Sequence, residues 1–253
     1  MTLLLAHISD LHLDGSDRST ERAERTVAYL RDLSQAPDAL LVTGDIADAA
    51  TREEYEEAAR LLDLPFPVIV CPGNHDDRAA LRAHLLGEGP STEPFNRVHH
   101  VAGAAVLACD STIPGQDGGR LEASTLVWIN DTLNALPADT PALLAFHHPP
   151  VRMHHPLPDS MRLGNSDDLA GLLQAHPRVA GILVGHMHTG GATMFAGRPL
   201  LLAPGVTWTL RMPWEGEPAA DRTQPPGVAF HLLDDDQRLS THFRAVMRAG
   251  AEV

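Results

Sequence analysis

Asp10 and His12, two residues apart, open a series of five short donor clusters: Asp10-Leu11-His12, Gly44-Asp45, Gly73-Asn74-His75-Asp76, His147-His148 and Gly185-His186-Met187-His188. Each follows an apolar, strand-like run and offers the oxygen or nitrogen donors that hold divalent metals. One cluster would say little, because loops often carry Asp and His. Five in the same position relative to a strand point to one assembled site. Side chains alternate along an extended segment, so Asp10 and His12 are expected on one side, within reach of one ion. His186 and His188 repeat the device. The donors Asp10, His12, Asp45, Asn74, His147, His186 and His188 are too many for one four-coordinate ion and suit two ions sharing a carboxylate. Imidazole nitrogen mixed with Asp and Asn oxygen favours Mn, Fe, Co or Zn over Ca or Mg. Two such ions, roughly 3.5–4 Å apart, can hold a hydroxide and clamp the oxygens of a phosphoryl group.

The elements that must position these clusters are legible as alternating patterns. Apolar runs at residues 3–9, 39–43 and 67–71 alternate with helical stretches at about 19–33, 52–62 and 78–86. That order implies βαβ units and a largely parallel sheet. Val27, Leu30 and Leu33 recur at helical spacing, and Thr51-Arg52-Glu53-Glu54 reads as a capping box. Further on, strands are expected at 98–101 and 104–109 around Ala102-Gly103, then a helix at 123–136, a strand at 141–146, a helix at 167–175 and a strand at 179–184. Two more hairpins follow, at 193–203 around Gly197-Arg198 and at 227–244. Residues 149–166 and 208–226 read as long loops, the places where substrate specificity is expected to reside. In open α/β sheets ligands gather beyond the carboxyl ends of strands, and all five clusters fall there.

Composition narrows the function classes. The 253 residues carry a net charge of −14, which disfavours binding to a nucleic-acid backbone. Apolar residues make up 43 %, enough for a large α/β core in a single domain spanning residues 1–253. Cys71 and Cys109 sit inside apolar runs and read as buried free thiols, a usage that suits a reducing cytoplasm. The run Leu3-Leu4-Leu5-Ala6 is too short for a signal core or a membrane span. The expectation is a cytoplasmic protein with no membrane partner.

The series Asp-x-His, Gly-Asp, Gly-Asn-His-Asp, His and Gly-His-x-His, in this order from residue 10 to 188, resembles the signature of the calcineurin-like metallophosphoesterase superfamily. The forms Ile8-Ser9-Asp10-Leu11-His12-Leu13 and His147-His148-Pro149-Pro150 are most similar to its bacterial class III cyclic-nucleotide phosphodiesterase and glycerophosphodiesterase branch. The resemblance implies an α/β fold in which a two-sheet β-sandwich is flanked by helices, in four layers αββα. It implies that Asp10, His12 and His188 hold one metal, that Asn74, His147 and His186 hold the other, and that Asp45 bridges them. His75 would be no ligand but would face the substrate and stabilise or protonate the leaving oxygen, a role its place beside Asn74 also suits. The implied activity is a dinuclear metal-dependent phosphodiesterase hydrolysing a small cyclic nucleotide or glycerophosphodiester by a metal-bound hydroxide, in a dimer or larger assembly. A phosphomonoesterase or nucleotidase on the same metals is the alternative, and a binding scaffold without catalysis a third reading.

Other residues near the motifs carry humbler expectations. His148 is expected either to support the ligands or to face substrate, and Asn165 to contact substrate phosphate or cap the helix that follows. Asp76 is expected to orient a neighbour, and His7, inside the first strand, to be structural. Asp14 and Asp17 read as turn residues. His99, His100, His154, His155 and His176 lack matching spacing and read as ordinary solvated or packed residues.

Overall fold

The computed structural model describes residues 2–248. Its strands are β1 (Leu3–Ile8), β2 (Ala39–Thr43), β3 (Val68–Cys71), β4 (Arg97–Val101), β5 (Ala104–Ala108), β6 (Ala142–Ala145), β7 (Val179–Val184), β8 (Gly191–Phe195), β9 (Arg198–Leu202), β10 (Thr209–Leu210), β11 (Ala220–Asp221), β12 (Gly227–Leu233) and β13 (Leu239–Ala245). Five of them form one sheet in the order β13-β12-β1-β2-β3, and six form a second in the order β4-β5-β6-β7-β9-β8. The helices are α1 (Asp17–Arg31), α2 (Arg52–Leu61), α3 (Arg78–Ala80), α4 (Ala123–Ala135), α5 (Pro156–Ser160) and α6 (Ser166–Gln174).

Alternation along each strand explains the layers. Leu3, Leu5, Leu41, Ile69 and Cys71 point between the sheets, where they meet Val106, Ala108, Leu143 and Leu183. Their neighbours Ala6, Ile8, Leu40, Val42 and Val70 pack against Val27 and Leu30 of α1 and Tyr55 and Ala58 of α2. On the other side Leu107, Leu144, Ile182 and Val184 cover Ile129 and Leu133 of α4 and Leu169 and Leu173 of α6. Central strands buried on both faces must be apolar throughout, which is why β2 and β6 read as unbroken runs. This is the four-layer αββα sandwich.

The structure corrects several local expectations. Each sheet is mixed: β1-β2-β3 and β5-β6-β7-β9 pair in parallel, while β12, β13, β4 and β8 add antiparallel neighbours. The helix expected at 78–86 is one α turn followed by a π-helical turn at Leu81–Leu85. The β8–β9 turn is Ala196-Gly197, one residue earlier than expected, with φ of 47° and 76°. Two successive positive φ values suit a two-residue hairpin turn, and glycine takes the second without strain. The two long loops are also partly ordered: 149–166 contains α5, and 208–226 contains the β10–β11 pair. The capping box of α2 is present as read, with Thr51 accepting from the Glu54 backbone.

His7 is structural, and its partners show how. Thr241, His231, His7 and Thr43 form a hydrogen-bonded row across four adjacent strands, with contacts of 2.8, 3.0 and 2.8 Å. Burial pushes His231 down to about 3, and burial plus the neighbouring His231 hold His7 well below its usual value. Both are therefore neutral when folded but bind protons below pH ~6.5 when unfolded. In that range the unfolded state takes up more protons, so stability falls as pH drops from ~6.5 towards 3, by up to about 1.4 kcal/mol per pH unit for each histidine. Urea midpoints at pH 7, 6 and 5 should show the decline. His231→Leu should make it shallower, and an unchanged slope in that variant would remove the pair as its source.

Candidate metal centre

All five clusters leave the carboxyl ends of strands along one rim of the sandwich: Asp10 and His12 after β1, Asp45 after β2, Asn74 after β3, His147 after β6, and His186 and His188 after β7. Both sheets contribute. The reason for the pairing of Asp10 with His12 differs from the alternation expected. Asp10, His12, Asp45, His186 and His188 all adopt positive φ, between 41° and 70°. They lie past the strands, and left-handed turns aim them at a common point. Asp and His tolerate this region better than most residues, and strain gathered at one place is a mark of a functional site.

Glycine makes the close approach possible. Gly44 has φ of 87°, and a Cβ there would lie 2.5 Å from the Gly73 backbone N and 2.7 Å from His147 Nδ1. Gly44→Ala should displace the Gly73 turn or the His147 ring and lower activity roughly 10- to 100-fold, the usual cost of disturbing a ligand's support. Activity and bound metal, measured together, check this; a fully active variant would show that the close approach is dispensable. Asp76 does orient its neighbours. Its carboxylate accepts from Gly73 N at 2.9 Å, from Ile46 N and Ala47 N at 3.2 Å, and from the Tyr55 hydroxyl at 3.0 Å. It therefore clamps the Asp45 loop to the Asn74 loop.

The seven expected ligand residues converge. Ligand atoms of Asp10, His12, Asp45 and His188 lie within 4.8 Å of one another, and all four side chains are buried. Asn74 Oδ1 is 3.1 Å from both His147 Nε2 and His186 Nδ1, which are 3.2 Å apart. Asp45 lies between the two sets, its Oδ2 3.5 Å from His12 Nε2 and 3.4 Å from His147 Nε2.

In three of the four histidines the other ring nitrogen is anchored outside. His147 Nδ1 donates to the Thr43 carbonyl at 2.7 Å, His188 Nδ1 donates to the Trp208 carbonyl at 3.2 Å, and His12 Nδ1 meets Asp48 Oδ1 at 3.0 Å. A carbonyl can only accept, so Nδ1 of His147 and of His188 carries a hydrogen and Nε2 is the nitrogen that faces the centre. This outer support is what metal-ligating histidines usually have. The Trp208 ring also stacks on His188, with centroids 3.5 Å apart.

The electrostatics fit a cation. Asp10 is fully buried, yet both its carboxylate oxygens lack a hydrogen-bond partner, as does His186 Nε2. A buried carboxylate without a donor costs several kcal/mol unless a charge satisfies it. Burial raises Asp10 to about 6. His147 is held up at about 9 against its burial, by the carboxylates of Asp45 and Asp10. Asp45 stays well below its usual value although burial opposes this, because His147 lies beside it. Burial, reinforced by His147, takes His186 down to about 3, and burial with His12 keeps His188 low. The set is a buried cage of two carboxylates and inward-facing imidazole nitrogens, in which a cation would take the place of the proton that His147 holds, and it suits divalent transition metals.

Beside the cage lies a cavity of about 160 Å³, lined by His12, Asp45, Asn74, His75, His186 and His188 and walled by Leu157, Pro158, Met161, Trp208 and Leu210. His75 is half exposed on its edge, and its Nδ1 donates to the Asp48 carbonyl at 2.7 Å.

Neither residue weighed as a substrate contact lines the cavity, although His148 packs beside His147 and His186, the supporting place that was its other expectation. His148 is fully buried, with Nδ1 2.8 Å from Ser111 Oγ and Nε2 3.2 Å from the Asp117 carbonyl. Both nitrogens are occupied, so it braces the loop from Ser111 to Asp117. Asn165 exchanges hydrogen bonds with the Leu121 backbone at 3.1 and 2.9 Å and makes no cap for α6. Its amide nitrogen also donates to Asp168 Oδ2 at 3.1 Å. Asp48 and Trp208 were missed. Asp48 stands three residues past Asp45 in the same turn, which was the available signal; nothing in sequence marked the Trp208 carbonyl.

The family model for calcineurin-like phosphoesterases matches residues 3–190. The chain belongs to that family. This metallophosphoesterase is 35 % identical over 81 % of its length to a cAMP/cGMP dual specificity phosphodiesterase of Mycobacterium tuberculosis, covering 68 % of that protein. It is 28 % identical to the glycerophosphodiester phosphodiesterase GpdQ of Enterobacter lignolyticus, over 98 % of this chain and 93 % of the relative. Among solved structures, a dimetal phosphatase from Danio rerio shares the fold, with a TM-score of 0.69 over 97 % of this chain and 99 % of that one at 14 % identity. The metallophosphoesterase is thus an enzyme whose His/Asp cluster can hold metal. No helix among its described residues is long and apolar enough to cross a membrane.

Proposed function

We propose that this metallophosphoesterase hydrolyses a small phosphodiester, a cyclic nucleotide or a glycerophosphodiester, at a dinuclear centre. The observation that carries the reading is the Asp45 carboxylate, seated between the His12 and His147 imidazoles at 3.5 and 3.4 Å. On this reading Asp10, His12 and His188 hold one ion, Asn74, His147 and His186 hold the other, and Asp45 serves both. Two divalent ions, drawn from Mn, Fe, Co and Zn, would supply Lewis acidity towards the phosphoryl oxygens and an activated water.

The chain's own residues do the rest. Asp48 and the carbonyls of Thr43 and Trp208 fix the rings of His12, His147 and His188, so the cage keeps its shape without substrate. His75 has Nδ1 committed to the Asp48 carbonyl, which leaves Nε2 as the free nitrogen on the cavity edge. From there it stabilises or protonates the leaving oxygen. The Asp48 carboxylate lies 3.7 Å from His75 Nδ1 and helps hold the ring at the cavity edge. Leu157, Pro158, Met161 and Leu210 exclude water and receive the organic part of the ester.

A diester is favoured over a monoester by the cavity's apolar walls, Leu157, Pro158, Met161 and Leu210, which suit a second ester group. The relatives named as cyclic-nucleotide and glycerophosphodiester phosphodiesterases support the same choice. The buried free thiols Cys71 and Cys109 suit work in a reducing cytoplasm. One domain over 1–253 and a dimer or larger assembly belong to the same reading, on the resemblance of the motifs to the diesterase branch. A panel of cyclic nucleotides, glycerophosphodiesters and monoesters with Mn, Co and Zn tests the proposal. Faster turnover of p-nitrophenyl phosphate than of bis(p-nitrophenyl) phosphate would replace it with a monoesterase. Metal bound without any turnover would leave a scaffold.

A further inference from the structure

On an acidic chain whose 19 basic residues are all arginine, five of those arginines meet at one place outside the donor clusters. Arg18, Arg22 and Arg25 share a face of α1, at i, i+4 and i+7, and Arg222 and Arg248 face them across a cleft of about 340 Å³ that Thr223 also lines. We propose that this cleft is a binding site for a phosphate-class dianion, either inorganic phosphate or the end of a phosphomonoester.

Charge makes the argument. Like charges packed together repel, and only one carboxylate answers these five among the described residues. Glu21 lies 3.6 Å from Arg25 and 3.4 Å from Arg248; Arg18, Arg22 and Arg222 have no carboxylate of the described residues in ion-pair range. Arg22 is the second, independent sign. It is 3 % exposed, its Nε donates to the Val206 carbonyl at 2.7 Å, and its Nη2 is buried with no partner. Burial, together with Arg18 and Arg25, lowers this guanidinium to about 10. An unpartnered, buried guanidinium among others is costly unless an anion completes it, and the planar fork suits phosphate oxygens. The arrangement is also held in place: Arg18 donates to the carbonyls of Thr207 and Arg222.

Residue-resolved protection of arginine from phenylglyoxal, mapped by peptide mass spectrometry on the metal-loaded enzyme, tests the site apart from the metal centre. Inorganic phosphate should slow modification of Arg222 and Arg248 about tenfold, against chloride at equal ionic strength, and leave the exposed Arg152 unchanged. Protection by inorganic phosphate alone would assign the free ion; equal protection by methylphosphonate would assign a phosphomonoester end. Both sustain the site. The double variant Arg222→Ala/Arg248→Ala should show a smaller phosphate-induced rise in Tm than the parent while keeping its hydrolytic rate. Uniform slowing at all arginines, or none, overturns the proposal. So does protection that emerges only after residues 249–253 are deleted, because the chain's own tail would then be the occupant.

Discussion

Replacing Asp45 with Asn should lower kcat/KM by roughly a thousandfold or more, about 4 kcal/mol of transition-state stabilisation. The expectation follows from position. Asp45 alone stands between both histidine sets, it is buried at 2 % exposure, and its other oxygen accepts from His75 N at 3.0 Å. An amide of the same shape keeps the turn that links the Asn74 loop but removes the charge that can serve two cations. The variant should therefore fold, with a Tm close to the parent, and bind fewer metal ions per chain. Metal analysis and activity on one sample make the test sharp. Two tightly held ions with full activity would remove Asp45 from its proposed place.

His75→Ala should behave differently. Metal content should stay at the parental level, because the ring donates to a carbonyl and its neighbour Asn74, rather than His75 itself, approaches the histidine pair. The rate should fall about 10²- to 10⁴-fold on diesters with alkoxide leaving groups, the usual worth of a general acid. On bis(p-nitrophenyl) phosphate, whose leaving group departs without a proton, the loss should be at least tenfold smaller on the same reasoning. A comparison of the two substrates reads the role directly. Equal losses on both would mean that His75 binds substrate without handling the leaving oxygen.

Much of this centre was legible because metal chemistry restricts residue type. Few side chains other than Asp, His and Asn supply such donors, and here each cluster follows an apolar run that can only be a buried strand. Asp10, Asp45, Asn74, His147 and His186 could thus be assigned to one rim from order alone. The αββα layering was legible for the same reason, since runs such as Ala39–Thr43 must be covered on both faces. Asp48 was less visible, because a lone aspartate in a turn has many ordinary uses. For His148 and Asn165 sequence order left two uses open, and only packing chose: His148 sits beside His147 and His186, and Asn165 ties to the Leu121 backbone.

The sequence by itself determined the donor inventory, the apolar strands that carry it and the family it belongs to. Only the tertiary structure decided how the donors converge. Alternation along a strand was the expected device, but positive φ at five of the donor residues does the aiming, and Gly44 with Gly73 allows the two loops to touch. The physical reason is that left-handed turns are held by surroundings from distant segments, here the Asp76 clamp and the carbonyls of Thr43 and Trp208, and local preference does not announce them. The same holds for the arginine cleft, where α1 meets residues some 200 positions away. Residue type fixes what a group can do; the packing of distant segments fixes what it faces.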